Sequence, residues 1–247
     1  MYATSAGRPL RPFKLERMPE WYTARHLLSN SDAEPVTVSE VLAASADPAT
    51  EKAHWLSLDL SYTPESKGRP ELIAAILGCY SDGAGASGTS ALDATVVAPA
   101  EGILLAFQAL LEPGDHVIVM HPCYMSLAEL PVAMGCNVDL WRPRLSQHGF
   151  MFDPEDLEGL LRADTKLVVL NLPHNPTGAT LSAADMDRVV ATVAARGGRI
   201  FTDEMCDRIP SPFLVKAQLC AFFPTCRALD GEANVQRHHG AGIDCMF

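Results

Sequence analysis

Three short segments carry residue types that could act together on a bound molecule. Asn171-Leu172-Pro173-His174-Asn175-Pro176-Thr177-Gly178 closes on a Pro-Thr-Gly turn, a geometry that Pro and Gly favour. Thr202-Asp203-Glu204 places two carboxylates side by side, and Pro99-Ala100-Glu101-Gly102 has the composition of a helix start. Lys166 to Leu170 reads as a buried strand that ends at the first segment, and Arg199 to Thr202 as the next strand, ending at Asp203. Ligands of open α/β sheets bind outside the carboxyl ends of strands, where both of these fall. Phosphates bind at helix N-termini because free backbone N–H groups and the helix dipole point at them, which makes Ala100 and Glu101 candidates for a phosphate cradle. Taken alone, each segment also describes an ordinary strand-end or βα turn.

The surrounding elements give these segments an order. Phe13 to Ala46 carries two modest helical patterns, and Asp47-Pro48 marks a boundary. Tyr62 to Leu72 leads into a helix through Tyr80, and the Gly-, Ala- and Ser-rich stretch from Ser81 to Ser90 reads as a flexible connection. Ala94 to Ala98 reads as a strand, followed by the helix that Pro99 opens and that runs through Leu111. Then come strand His116 to Met120, helix Ser126 to Met134, strand Asn137 to Trp141, a surface helix over Asp153 to Arg162, and the strand at Lys166. Ser182 N-caps a helix through Arg196, with Asp185 in its first turn, and Gly197-Gly198 ends it. Such alternation gives a doubly wound, mainly parallel sheet with helices on both faces.

These residues, together with Pro113-Gly114-Asp115 before a strand and Pro122-Cys123-Tyr124 after it, resemble the large domain of fold-type I, class I/II aminotransferases, which use pyridoxal 5'-phosphate (PLP). The wording is similar to the capreomycidine-synthase-like group at Phe13 to Arg17, Leu27 to Asp32, Pro99 to Ile103 and Asn171 to Gly178. The resemblance implies a PLP-transferase large domain of α/β/α type, truncated, with part of the N-terminal small domain. It divides the chain into an arm and small-domain segment over 1–55, an incomplete PLP-binding domain over 56–209, and a divergent tail over 210–247 that is open to disorder. It further implies that Tyr124 stacks on the pyridine ring, Asn175 donates to the phenolate oxygen, Asp203 faces the pyridinium, and Ala100 and Glu101 receive the phosphate. Tyr62 would reach the cofactor phosphate of the neighbouring subunit in a homodimer. Physically, a carboxylate favours a protonated ring nitrogen, and a flat aromatic beside a flat heterocycle supplies area and orientation.

Two departures limit this reading. Where the family has a tyrosine hydroxyl beside the phenolate oxygen, this chain has Cys206, shorter and a weaker donor. The family's Schiff-base lysine follows the aspartate in a Ser-x-Ser/Ala-Lys context; of Lys14, Lys52, Lys67, Lys166 and Lys216, four precede Asp203, and Lys216 sits in Phe213-Leu214-Val215 without the serines. The catalytic lysine is therefore not identified. After Ile209 the text loses family motifs, including the arginines that clamp a substrate carboxylate. A frame-shifted or mis-spliced ending and a genuine divergent one are both consistent with this. A metal site at Cys220, Cys226, His238, His239 and Cys245 fits no zinc spacing well, so no metal is expected. Without the family's last two strands, the strand at Ala94 to Ala98 should be an exposed edge, and the chain should fold poorly alone.

The implied activity is amino-group transfer between an amino acid and a 2-oxo acid, with a non-catalytic PLP-fold pseudoenzyme or a PLP-dependent lyase or cyclase as alternatives. Composition agrees with a globular enzyme: 247 residues, 48% hydrophobic, can bury a substantial core. A net charge of −11 without a basic cluster argues against nucleic acid and anionic membranes as partners. Seven cysteines without framework spacing and no apolar leader point to the cytoplasm.

Overall fold

The computed structural model describes residues 23, 25–26, 35–62, 64–79, 94–147 and 149–206. They fall into two compact units, Phe13–Ser66 and a larger one that includes Lys67 onward. The smaller unit holds α1 (Val38–Ala43) and α2 (Pro48–Leu56). A capping box between Thr37 and Glu40 starts α1. Asp47 accepts from the Thr50 N–H to start α2, with Pro48 at a position where its missing N–H costs nothing. The boundary expected at Asp47-Pro48 is thus the opening of a helix.

In the larger unit, α3 (Pro70–Cys79) and α4 (Pro99–Leu110) precede β1 (His116–Met120), α5 (Met125–Ala133) and β2 (Asn137–Trp141). A small antiparallel hairpin of β3 (Arg144–Ser146) and β4 (Gly149–Met151) follows, which the sequence reading did not anticipate. Next are α6 (Pro154–Leu160), β5 (Thr165–Asn171), α7 (Ala183–Ala194) and β6 (Arg199–Asp203). Ser182 caps α7 through the Asp185 N–H, and Gly197 leaves it at φ 69°. That left-handed backbone favours glycine.

Strands β2, β1, β5 and β6 form one parallel sheet in that order. All of β1 is buried, as is β5 apart from Lys166, because helices cover both faces. Alternate residues serve opposite layers. Ile118, Met120, Val168 and Leu170 pack with Leu157, Met186, Val189 and Val193, while Val117, Val119, Leu167 and Val169 pack with Ile103, Phe107, Leu127 and Leu130. Each such side chain, fully buried, contributes about 1.5–3 kcal/mol. From β1 the chain steps outward to β2, then returns past β1 to β5. The direction reverses between β1 and β5, and a crevice at such a reversal is where doubly wound sheets bind ligands.

One expected element is absent from the sheet. Residues 94–98 are extended but pair with no described strand, and their backbone is tied instead by Val96 N–H to the Lys67 carbonyl at 2.7 Å. A strand needs a neighbour for its ladder, and the edge strands of the described sheet are β2 and β6, not residues 94–98.

At the amino end of the sheet, Thr165 Oγ1 accepts from the Arg162 N–H at 2.8 Å and meets His116 Nδ1 at 2.8 Å. His116 Nε2 meets Asp139 Oδ2 at 3.1 Å, which Arg162 also contacts at 2.6 Å. Burial opposes ionisation of Asp139, but the bonds from His116 and Arg162 hold its carboxyl below the usual range. A Thr-His-Asp line is the arrangement of a nucleophile relay. Here, however, His116 and Thr165 are 1% and 3% exposed, at the end of the sheet remote from ligand sites, so the line is a staple across β2, β1 and β5. Replacing His116 by Ala is expected to cost about 1–3 kcal/mol by stranding two polar partners, read as a shift in urea midpoint. A midpoint equal to the parent's would contradict the staple.

Candidate functional site

The carboxyl ends of β1, β5 and β6 gather most of the residues singled out by the sequence. Tyr124 is the N-cap residue of α5, just past β1 and half-buried against the α4/α5 layer. Asn175 stands in the turn past β5, exposed. Asp203 ends β6 and is register partner of Asn171, the last residue of β5, so adjacent parallel strands bring the turn and the carboxylate side by side.

The turn is held from beneath by His174. Its N–H donates to the Ala179 carbonyl at 2.9 Å, its carbonyl accepts from Gly178 at 2.7 Å, and its ring Nδ1 lies 2.7 Å from Thr177 Oγ1. The ring packs edge-on to Phe152, centroids 4.6 Å apart, and is buried, with the Pro122 backbone beside it. Burial, opposed by the Pro122 backbone and reinforced by nearby His121, pushes its pKa down to about 4. In the range from 6.5 down to about 4 the unfolded chain therefore binds the proton first, and stability is lost as pH falls through that window. Melting curves across it should slope less for His174→Phe, which keeps the ring and cannot titrate; equal slopes would exclude His174 as the cause.

Asp203 is a half-buried carboxylate without a cation among the described residues. Burial raises its pKa, partly offset by the Met205 N–H, which donates to Oδ1 at 3.1 Å. Two thiols lie within its field. Burial, then Asp203 and Glu129, push Cys123 up to about 12, and burial followed by Asp203 raises Cys206. Both remain protonated at neutral pH, so Cys206 is a neutral, weak donor beside the carboxylate. Among the described residues no positive charge faces it, and such a carboxylate suits a ligand that brings a cationic nitrogen.

A second feature invites an anion. Helix α4 begins at Pro99 with Ala98 as N-cap, and no side chain caps it. Ala100 and Glu101 are exposed in the first turn, where the N–H groups of a helix start favour an anion. Tyr62 belongs to the smaller unit and is fully exposed. Lys216 and the cysteines and histidines of the tail lie outside the described residues; among those described, no group of His, Cys, Asp and Glu is arranged to hold a metal. Sequence reasoning gave Asn171 no role, yet it is 1% exposed with both ends of its amide engaged, a pattern visible only once β5 and β6 pair.

Comparison with known proteins decides the family. The family model for aminotransferase class I and II matches residues 30–207. The chain belongs to that family. Class I and II aminotransferases of known structure share its fold-type I architecture and imply PLP as the cofactor, with which the uncompensated carboxylate and uncapped helix agree. Capreomycidine synthase from Streptomyces vinaceus is 33% identical over 186 residues, 75% of this chain and 45% of that protein. An aspartate aminotransferase from Pyrococcus horikoshii is 36% identical over 135 residues, 54% and 33%. Among solved structures, the PLP-dependent cyclase OrfR is similar at 32% identity and TM-score 0.62, over 81% of this chain and 51% of that one. The chain thus spans about half or less of these aminotransferase-family relatives. The similarity to the capreomycidine-synthase group expected from sequence is borne out.

Proposed function

We propose that this chain carries the cofactor-binding half of a PLP-dependent aminotransferase site, acting on an amino acid and a 2-oxo acid. The observation that carries the reading is the pairing of Asn171 with Asp203, which sets the Asn175 turn and an uncompensated carboxylate at one sheet end. When bound, PLP supplies an electron sink for carbanionic character at a substrate's α-carbon. Asp203 would hold a proton on the ring nitrogen, Asn175 would donate to the phenolate oxygen, and Tyr124 would orient the ring. Ala100 and Glu101 would receive the phosphate, and Cys206 would stand beside the phenolate oxygen with little donor strength. In a homodimer, fully exposed Tyr62 is free to serve the neighbouring subunit's phosphate. Cytoplasmic residence agrees with the free thiols of Cys123, Cys136 and Cys206, and no described helix is long and apolar enough to cross a membrane.

The similarity to capreomycidine synthase and OrfR favours a second reading, cyclase chemistry on the same cofactor. Both readings share one test: titrating the purified chain with PLP, following visible absorbance, then reducing with borohydride and mapping the peptides. Saturable binding is expected, with no single labelled lysine. A stoichiometric adduct at Lys216 would instead make that residue the catalytic lysine, and the absence of saturable binding would overturn both readings. Where binding holds, product analysis with amino-acid and 2-oxo-acid pairs separates transfer from cyclisation.

A further inference from the structure

Asn171 is enclosed at the end of β5, and every polar group it offers to the site is used. Its Nδ2 donates to the Asp203 carbonyl at 3.2 Å, and its Oδ1 accepts from the Asn175 N–H at 2.8 Å. Its own N–H faces Met120 Sδ at 3.4 Å, linking it to β1. An amide is one rigid plane with donor and acceptor at a fixed separation, so engaging both ends fixes what lies on either side.

We propose that Asn171 is a positioning residue: it sets the distance between the Asn175 side chain and the Asp203 carboxylate, and thereby the two-point grip on the cofactor ring. The assignment rests on the PLP reading above for its ligand, although the hold on Asn175 is a property of the chain itself. The Asp203 carbonyl also accepts from the Leu172 N–H at 3.0 Å, so the β6 end is doubly tied to β5. Asn175 has less support. Among the described residues its own N–H bonds to Asn171 alone, while His174 holds the rest of the turn, so Asn171 decides where Asn175 itself sits. Strand pairing alone, which ends at Asn171 and Asp203, does not extend to Asn175.

Two measurements test this. Amide hydrogen exchange without PLP should show faster exchange at the Asn175 N–H in Asn171→Ala, with 165–170 still protected. PLP titration should show roughly tenfold weaker binding for Asn171→Ala, the size expected for one lost hydrogen bond, and a clearly smaller penalty when the change is made in an Asn175→Ala background. Loss of the core alone would lower stability without that non-additivity. Asn171→Asp fills the same volume, keeps the acceptor and lacks the donor, so it keeps the test open should Asn171→Ala fail to fold; it should protect the Asn175 N–H better than Ala does. Unchanged exchange, or fully additive penalties, would overturn the proposal. Faster exchange in a chain that shows no saturable PLP binding would support the hold on Asn175 and overturn the PLP reading instead.

Discussion

Asp203→Asn is expected to melt at a higher temperature than its parent at neutral pH while binding PLP about 10- to 100-fold more weakly, the loss appropriate to one charge-assisted hydrogen bond. The two effects have one cause. Burial raises the Asp203 carboxyl, which means that the folded chain pays to ionise it. A carboxyl raised in the folded state lowers stability as pH rises past its ordinary value of 3.8, and that deficit persists above the folded pKa. Asparagine is nearly isosteric and its Oδ1 still accepts from the Met205 N–H, so the substitution removes the deficit without removing a partner. The gain should therefore be absent below 3.8 and develop above it. A cationic ring nitrogen would relieve the same deficit in the parent, and asparagine cannot offer it a charge. Calorimetric melts at several pH values, paired with PLP titration, check both arms. A variant that is less stable at neutral pH, or one that binds PLP as the parent does, would remove Asp203 from the role proposed for it.

How far this site could be read in the sequence depended on whether its signals were local. The strands at His116, Asn137, Lys166 and Arg199 announced themselves through β-branched and leucine runs, and the cap at Ser182 through residue type alone, whereas Asp153, read as the first residue of a helix, is its N-cap. Asp203 and Asn175 were legible as strand-end residues for the same reason. The strand expected over 94–98 was not realised, because a strand is defined by its neighbour and its own apolar residues do not supply one. The β3–β4 hairpin was missed since three-residue strands barely register as alternation, and Leu145 and Phe150 remain exposed. Asn171 could be read as part of a motif but not as a connector, because its two partners come from the turn ahead of it and from a strand thirty-two positions away. The staple of His116, Asp139 and Thr165 escaped for the same reason: contacts across three strands leave no local pattern.

The largest stability effect is expected at Phe107. It is fully buried on α4 and meets Phe201 of β6 edge-on, with ring centroids 5.3 Å apart and planes at 66°. That pair ties the helix whose first turn offers Ala100 and Glu101 to the strand that ends at Asp203, so it couples the proposed phosphate end of the site to its proposed ring-nitrogen end. Removing the ring forfeits transfer free energy, leaves a cavity and abolishes the aromatic pair, together about 3–5 kcal/mol. A domain's whole stability is on the order of 5–15 kcal/mol, so Phe107→Ala should leave much of the chain open to protease under conditions where the parent resists. Phe107→Leu retains most of the apolar volume and should keep most of that resistance. Denaturant midpoints and digestion rates compared across the three chains decide the matter. If Phe107→Ala resists digestion as the parent does, the helix is anchored elsewhere; if Leu is as damaging as Ala, the edge-on geometry outweighs the buried volume.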